Sequence, residues 1–117
     1  MGFQVHTREM DRIILLEAVG RLTLTEGQTK IRDLIHVFTG NGAKRFILNL
    51  AQVEFIDSCG VGELARCYSV VRQLGGEVKL VGVSGKVLDV LEICRLHKLF
   101  EIYSGDGAAL EAFGQHA

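Results

Sequence analysis

The sequence predicts an α/β domain in which about four helices pack on a mostly parallel β-sheet that starts with an antiparallel edge strand. Segments with strand periodicity alternate with segments of helix periodicity along most of the 117 residues. The first two strand-type segments follow one another without a helix, which indicates a hairpin. Hydrophobic residues make up 48% of a chain of ordinary domain length, so we expect one folded domain spanning residues 1–117.

The first two strands form the predicted hairpin. Residues 3–8 alternate apolar and polar side chains, and the polar residues 8–11 predict the turn. Residues 12–19 form the second strand, which Gly20 is expected to end. Its nearly continuous apolar run, from Ile13 to Leu16, predicts that both faces of this strand are buried.

The first helix is predicted after a loop of residues 21–25. Thr23 or Thr25 is the expected N-cap, and Glu26 places a favourable negative charge in the first turn. One face of the helix carries apolar residues at helical spacing, namely Leu24, Ile31, Leu34, Ile35 and Phe38. Residues 39–42 tolerate left-handed backbone and are expected to end the helix.

A third strand is predicted at residues 45–50, and residues 51–54 connect it to the next segment. The second helix runs from about residue 60 to residue 74, where Gly75 and Gly76 close it. Its apolar face consists of Val61, Leu64, Ala65, Tyr68 and Val71.

The last part of the chain repeats the alternation. Residues 77–83 predict a fourth strand, and Ser84 is the expected cap of a third helix. The apolar face of that helix carries Val87, Leu88, Leu91 and Cys94. Residues 96–100 are turn-like, residues 101–103 predict a brief fifth strand, and a terminal helix follows residues 104–107.

The candidate functional segment is the stretch of residues 53–62, which begins apolar, turns polar at Asp57 and Ser58, and passes Gly60 into a helix. The first amides of a helix lack partners within it and favour oxygen acceptors and negative charge. Ser58 therefore suits either of two roles, an N-cap or a phosphoserine whose phosphate meets these unpaired amides. From the pattern alone, the structural role as cap and turn former is favoured.

Composition excludes several classes of partner. The formal net charge is −1 and no basic run is present, so nucleic acid and anionic membranes are poor candidates. No apolar run approaches the roughly 18 residues of a membrane span, and the N-terminus lacks the apolar block of a signal peptide. His6 stands where myristoylation requires Ser or Thr. We therefore expect no membrane insertion.

Motifs for a cofactor, a metal or a catalytic centre are missing from the sequence. No glycine-rich phosphate loop is present, because the Gly-Val-Gly at residues 60–62 is too short. Ser58 has Ile56 where a nucleophile elbow places glycine. The four histidines are scattered, at His6, His36, His97 and His116. We expect no enzyme activity, no cofactor and no metal.

The three cysteines indicate reduced thiols in the cytosol, since their number is odd and a secretory signal is missing. Cys67 and Cys94 fall in helical patterns and are expected in or near the core. Cys59 lies beside Ser58 at the helix start, where a thiolate is favoured, and is a candidate reactive thiol. Buried packing is the favoured interpretation for Cys59 as well. The expected localisation is cytoplasmic.

With this order of elements, the chain resembles a STAS domain, and more closely the bacterial anti-sigma factor antagonists. The resemblance rests on residues 55–62, Phe-Ile-Asp-Ser-Cys-Gly-Val-Gly, together with the preceding strand at 45–50 and the Gly-Gly strand at 75–81. Residues 87–102 match the family's later helix and closing strand. The likeness covers nearly the whole chain and implies a STAS-like sheet with helices packed on it.

The resemblance implies a protein-binding switch rather than a catalyst. In that family, the serine at the position of Ser58 is phosphorylated by an anti-sigma factor that is also a GHKL-type serine kinase. The unphosphorylated form binds this kinase and frees a sigma factor, and a PP2C-type phosphatase restores it. The residues that the resemblance assigns to partner binding are Asp57, Ser58, Cys59, Gly60 and Val61.

Two residues depart from the family's pattern, since Thr23 stands where many antagonists carry Asp and Cys59 where serine is common. Another function within the same fold is that of a STAS subunit in a different assembly, such as a lipid-transport ABC system or a stressosome-like scaffold. A third class is an enzyme with Cys59 as nucleophile, for which no base is placed in the sequence.

Overall fold

The computed structural model describes residues 2–24, 27 and 29–114. Within these residues the sheet consists of β1 (Gln4–Met10), β2 (Ile13–Leu22), β3 (Arg45–Ile56), β4 (Glu77–Val81) and β5 (Glu101–Tyr103). The helices are α1 (Lys30–Gly40), α2 (Ser58–Gln73), α3 (Gly85–Ile93) and α4 (Asp106–Gly114), with a short 3-10 helix at Leu96–Lys98. The predicted set of five strands and four helices is confirmed.

The sheet follows the order of the chain, β1-β2-β3-β4-β5. β1 pairs with β2 in the antiparallel direction, and the other three pairs are parallel. Each parallel pair needs a crossover, and right-handed crossovers that advance in one direction place their helices on one face of the sheet. The predicted α/β class, with its antiparallel edge strand, is confirmed.

Two apolar clusters cover the two faces of the sheet. The larger cluster packs α1, α2 and α3 on one face, and the smaller packs α4 on the other. Ile14 and Leu16 of β2 belong to the larger cluster, whereas Ile13 and Leu15 belong to the smaller. The prediction that both faces of this strand are buried is confirmed.

The two central strands are longer than predicted. β2 continues through Gly20 to Leu22, and residues 51–54 belong to β3 rather than to a connection. Beyond the last pair with β4, these two segments pair with each other from Val19 to Leu22. Their ladder of hydrogen bonds offsets the conformational cost of a glycine in a strand. The carboxyl ends of β2 and β3 thus extend beyond the other strands of the sheet.

The hairpin between β1 and β2 is tighter than predicted. The turn consists of Asp11 and Arg12 alone, and both have positive φ, at 52° and 66°. Two-residue turns with this backbone match the twist of the flanking strands. The strand therefore continues through residues 8–10, which the polarity of the sequence assigned to the turn.

The start of α1 also differs from the prediction. Thr29 occupies the N-cap position without a side-chain hydrogen bond to the helix, and Thr23 lies well before it. The other predicted cap, Thr25, and the predicted first-turn charge, Glu26, fall outside the described residues. Leu24, assigned to the apolar face of the helix, precedes it and is 56% exposed.

Smaller corrections concern the region after α2. β4 ends at Val81 instead of residue 83. Ser84 is the N-cap residue of α3 as predicted, although its side chain makes no capping hydrogen bond. Cys67 is buried in the core as expected, whereas Cys94 is exposed, because it lies just past the end of α3.

A fully buried lysine lies between β4 and α4. The Nζ atom of Lys79 donates to Glu77 Oε2 at 2.7 Å and to Glu101 Oε1 at 2.5 Å, and it lies 4.6 Å from the ring centre of Phe113. Burial acts to lower the pKa of Lys79, but the two carboxylates outweigh it and raise the pKa above its usual value. The lysine therefore stays charged and ties β5 to β4.

We expect Lys79→Ala to lower the free energy of unfolding by about 2–4 kcal/mol, because it leaves a cavity and two carboxylates without their cation. Lys79→Met fills the same volume but leaves the two carboxylates without their cation, so we expect it to recover only the part of that loss that comes from the cavity. Urea unfolding of the two variants and the wild type measures the difference. Equal stability of Lys79→Ala and the wild type would contradict this description of the α4 face.

Candidate functional site

The functional segment lies at the junction between β3 and α2, on the extension that β2 and β3 form beyond β4. Asp57 is the N-cap of α2, with extended backbone, and Ser58 is the first helical residue. The prediction that the helix begins near Gly60 is wrong by about one half-turn. The N-cap role considered for Ser58 belongs to its neighbour Asp57, whose carboxylate accepts a hydrogen bond from the Gly60 amide in the first turn.

The carboxylate of Asp57 joins two segments of the chain. Its Oδ1 atom accepts a hydrogen bond from the Gly60 amide at 2.9 Å, and its Oδ2 atom accepts one from the Leu24 amide at 3.0 Å. The Asp57 amide in turn donates to the carbonyl oxygen of Leu22 at 3.3 Å. The end of β2 and the start of α2 are therefore held together by the backbone and by the side chain of one residue.

These contacts determine the charge state of Asp57. Partial burial raises its pKa, but hydrogen bonds from the amides of Gly60, Leu24 and Cys59 outweigh burial and lower the pKa below the ordinary value of an aspartate. Asp57 is therefore a carboxylate at neutral pH. The carboxylate also accepts the hydrogen bond of the Gly60 amide. A phosphate on Ser58 would therefore not find all the first amides of α2 unpaired, contrary to the expectation from the sequence.

The five residues predicted for partner binding differ in their access to solvent. Ser58 is exposed, and Asp57 and Cys59 are half-buried, so the expected burial of Cys59 is only partial. Gly60 and Val61 are buried, with Val61 in the larger core. The surface of the site thus consists of the first three residues, while the other two fix the helix to the domain.

Gly60 is required by a close approach within the domain. A Cβ atom at this position would overlap the carbonyl oxygen of Leu22 and would lie 2.7 Å from Cγ1 of Ile56. The helix start can therefore come this near to the end of β2 because residue 60 has no side chain. The neighbour that excludes a side chain at this position is the chain's own backbone.

Two residues beside the segment were not predicted as part of the site. Leu24 is held next to Asp57 by its amide, and its side chain is 56% exposed. Arg21 lies over the ring of Phe55, with its guanidinium carbon 4.9 Å from the ring centre. The polarity of residues 21–25 predicted a loop, but β2 continues to Leu22 through its long-range pairing with β3, and this pairing places Arg21 and Leu24 here.

A buried carboxylate behind the site fixes the two neighbouring helices. The side chain of Glu63 is 3% exposed, and its Oε1 atom lies 3.4 Å from Arg32 of α1 and 3.2 Å from Arg66. Glu63 was not predicted as a core residue, although it follows Gly60 by three positions and precedes Cys67 by four. Those spacings place it on the buried face of α2.

The buried thiol of Cys67 is affected by the charge of that carboxylate. Burial, and after it the charge of Glu63, raises the pKa of Cys67 to about 12. Cys67 is therefore a neutral thiol at physiological pH and packs as a small apolar residue. Among the residues that the structure describes, no three His, Cys, Asp or Glu side chains come together as a metal site, and no helix is long and apolar enough to cross a membrane.

Comparison with known proteins gives consistent results at the level of sequence and of structure. A family model described as the STAS domain matches residues 4–109. An anti-sigma F factor antagonist from Paenibacillus polymyxa is 29% identical over 105 residues, which cover 90% of this chain and 74% of that protein.

Two solved structures share the fold. An anti-sigma factor antagonist from Mycobacterium paratuberculosis has a TM-score of 0.83 at 19% identity, covering 95% of this chain and 93% of that one. The Bacillus cell fate determinant SpoIIAA in its phosphorylated form has a TM-score of 0.70 at 20% identity, covering 95% of this chain and 99% of that one. At such identities these two structures bear on the fold alone.

We expect Asp57→Asn to destabilise the domain by about 0.5–2 kcal/mol at neutral pH, because an amide has one acceptor oxygen where the carboxylate uses two. The pKa of Asp57 is lowered on folding, so its contribution to stability is fully present above the ordinary pKa of an aspartate and is lost as the pH falls through the folded-state pKa. The difference between variant and wild type should therefore shrink in acid. Denaturant unfolding at neutral and acidic pH measures it.

A matched control is Asp89→Asn, which removes an exposed carboxylate of α3 that has no hydrogen bond or ion pair within the described residues. This control should change stability little at any pH. A loss at neutral pH that is the same for both variants would contradict the bridging role of Asp57.

We expect Gly60→Ala to lower stability by about 1–3 kcal/mol, since its Cβ atom would overlap the carbonyl oxygen of Leu22 and force the helix start away. Gly62→Ala on the same helix is the control. A Cβ atom there meets only the guanidinium of Arg66 at 3.7 Å, so this variant should be as stable as the wild type or up to about 1 kcal/mol more stable. Thermal and urea unfolding would refute the close approach if both variants behaved alike.

Proposed function

This chain belongs to the STAS domain family, and from that premise we propose that it is an anti-sigma factor antagonist controlled by phosphorylation of Ser58. The unphosphorylated form binds an anti-sigma factor that is also a GHKL-type serine kinase, and the phosphorylated form releases it. A PP2C-type phosphatase restores the binding form. The protein acts in the cytoplasm as a binding switch and catalyses no reaction.

One observation carries this proposal. Ser58 is exposed at the first position of α2, beside a carboxylate that two backbone amides hold in place. A kinase can reach such a hydroxyl without unfolding the domain. Because the surrounding backbone is fixed by Asp57, the hydroxyl is presented on a rigid element and not on a mobile loop.

The fold should tolerate the modification. Ser58 makes no side-chain hydrogen bond within the part of the chain that the structure describes, so phosphorylation breaks no contact there. The helix N-terminus attracts the new charge by about 0.3–1 kcal/mol, while the adjacent carboxylate of Asp57 repels it. These two effects are of similar size and opposite sign, so the stability of the domain should hardly change.

The interface should respond much more strongly. A phosphate adds about −1.5 to −2 charges at neutral pH, next to the charge that Asp57 already carries. A partner that packs on Ser58 and on the exposed apolar side chain of Leu24 would have to bury this charge without a matching cation. Each loss of about 1.4 kcal/mol weakens binding about tenfold, so a few such units suffice for a switch.

The partner surface proposed here consists of Asp57, Ser58 and Cys59, extended by Leu24. Gly60 and Val61 contribute by position, because they lie inside the domain and hold the helix start against β2. Thr23, where many antagonists carry Asp, is 7% exposed and uncharged, so it brings no second carboxylate to this surface.

The test is binding of Ser58 variants to the purified anti-sigma factor kinase of the host. We expect Ser58→Ala to bind like the unphosphorylated wild type and to resist release by ATP. Ser58→Glu should bind at least about tenfold more weakly, with an unchanged melting temperature. Calorimetric titration measures the affinity, and mass spectrometry after incubation with kinase and ATP locates the phosphate.

Ser69→Glu is the matched control, because it adds the same charge to an exposed serine on the same helix, about three turns away. This variant should keep its affinity. The phosphoswitch would be wrong in this form if the phosphate were found on another residue, or if Ser58→Glu and Ser69→Glu bound the kinase equally well.

A further inference from the structure

A pocket of about 390 Å³ lies at the end of the sheet opposite to Ser58. It is bounded by the hairpin turn before β2, by the end of α1 and by the start of β3. Its volume falls in the range of small-molecule sites. β3 runs from this pocket to the functional segment, and its twelve residues span roughly 35 Å at about 3.3 Å each. The two sites are therefore separate.

Three cations line the pocket, Arg12, Lys44 and Arg45. They come from the turn of the hairpin and from the first residues of β3, so the backbone brings them together from two segments. Within the described residues, none of these side chains makes a hydrogen bond or an ion pair. Glu9 also lines the pocket and is the carboxylate that opposes them. The formal balance of these four residues is an excess of two positive charges.

A simpler explanation for this cluster is the dipole of α1, whose carboxyl-terminal end lies at the pocket wall. Basic residues stabilise such ends, but a helix C-terminus carries only about half a negative charge. The charged residues that line the pocket therefore still give it a net positive charge after this half charge is counted. The dipole therefore accounts for part of the cluster, and the remainder favours an anion.

The pocket also has an apolar wall. Phe38 of α1 is half-buried, and Ile14 of β2 lies beneath it at 2% exposure. A purely inorganic ion would contact the cations and leave the side chain of Phe38 against water. A ligand with an anionic group and an apolar body would use both parts of the pocket.

We propose that this pocket binds a small organic phosphate. The phosphate lies against Arg12 and Lys44, where the guanidinium group of Arg12 can offer paired N–H donors to its oxygens. Arg45 adds positive charge nearby, although its register with Ile13 and Glu77 directs its side chain to the face of the sheet opposite to Phe38. The apolar part of the ligand packs on Phe38. This is a second binding site of the domain, distinct from the partner surface at Ser58, and its occupant would leave that surface open.

The experiment is a titration of the isotopically labelled full chain with benzyl phosphate, followed by backbone amide NMR signals. We expect signals of residues 41–45 and of Arg12 to shift with a dissociation constant below about 1 mM. Benzyl alcohol, which has the ring without the charge, should cause no shift at these residues. Inorganic phosphate should shift the same signals with at least about fivefold weaker affinity, because it cannot contact Phe38.

Two pairs of substitutions separate the pocket from the rest of the surface. Arg12→Gln with Lys44→Gln should weaken the binding of benzyl phosphate at least about tenfold. Lys86→Gln with Lys98→Gln removes the same number of exposed charges from outside the pocket and should leave the affinity unchanged. Unshifted signals of the core residues in each variant show that the fold is intact.

Three results would overturn the proposal. The first is the absence of shifts at residues 41–45 when benzyl phosphate is added. The second is equal binding by the pocket pair and the control pair of variants. The third is equal affinity for inorganic phosphate and benzyl phosphate, which would show that the ring of the ligand gains nothing from contact with Phe38. In the wild type, the affinity should also fall as the sodium chloride concentration rises, since the contact is between charges.

Discussion

The carboxylate of Asp57 is the interaction on which the geometry of the functional segment depends. It satisfies one amide of the loop after β2 and one amide in the first turn of α2, so two segments far apart in the chain share one acceptor group. Gly60 makes this possible because its lack of a side chain lets the helix start lie against Leu22. Ser58, between these two residues, is exposed as a consequence of how its neighbours are held.

The order and type of the elements could be predicted from local patterns, because periodicity reports which face of each segment is buried. The extension of β2 and β3 past the sheet could not, since Gly20 and residues 51–54 become strand only by pairing with each other. The cap of α2 was ambiguous for a different reason. Asp57 and Ser58 are both good N-cap residues, and the choice between them depends on a contact with Leu24 from another segment.

Buried charge is the feature that sequence patterns described least well. Glu63 and Lys79 both occupy buried positions, and each is compensated by partners from a different element. Hydrophobic periodicity treats such residues as surface positions, although their spacing places them in the interior. Glu63 links α2 to α1 behind the candidate site, and Lys79 links β4 to β5 beneath α4. Both pairs of elements are thereby fixed in register by charge as well as by apolar contact.

The unequal covering of the two sheet faces has a consequence for synthesis of the chain. Three helices that cover one face alternate with the strands, so that face can be buried as the chain grows. The other face is covered only by α4, which follows all five strands in the chain. Until residues 106–114 have left the ribosome, the nascent sheet exposes a row of aliphatic side chains, Ile13, Leu15, Ile47 and Val81. A chaperone that binds aliphatic segments would bind the nascent chain during this interval, and packing of α4 on the sheet would release it.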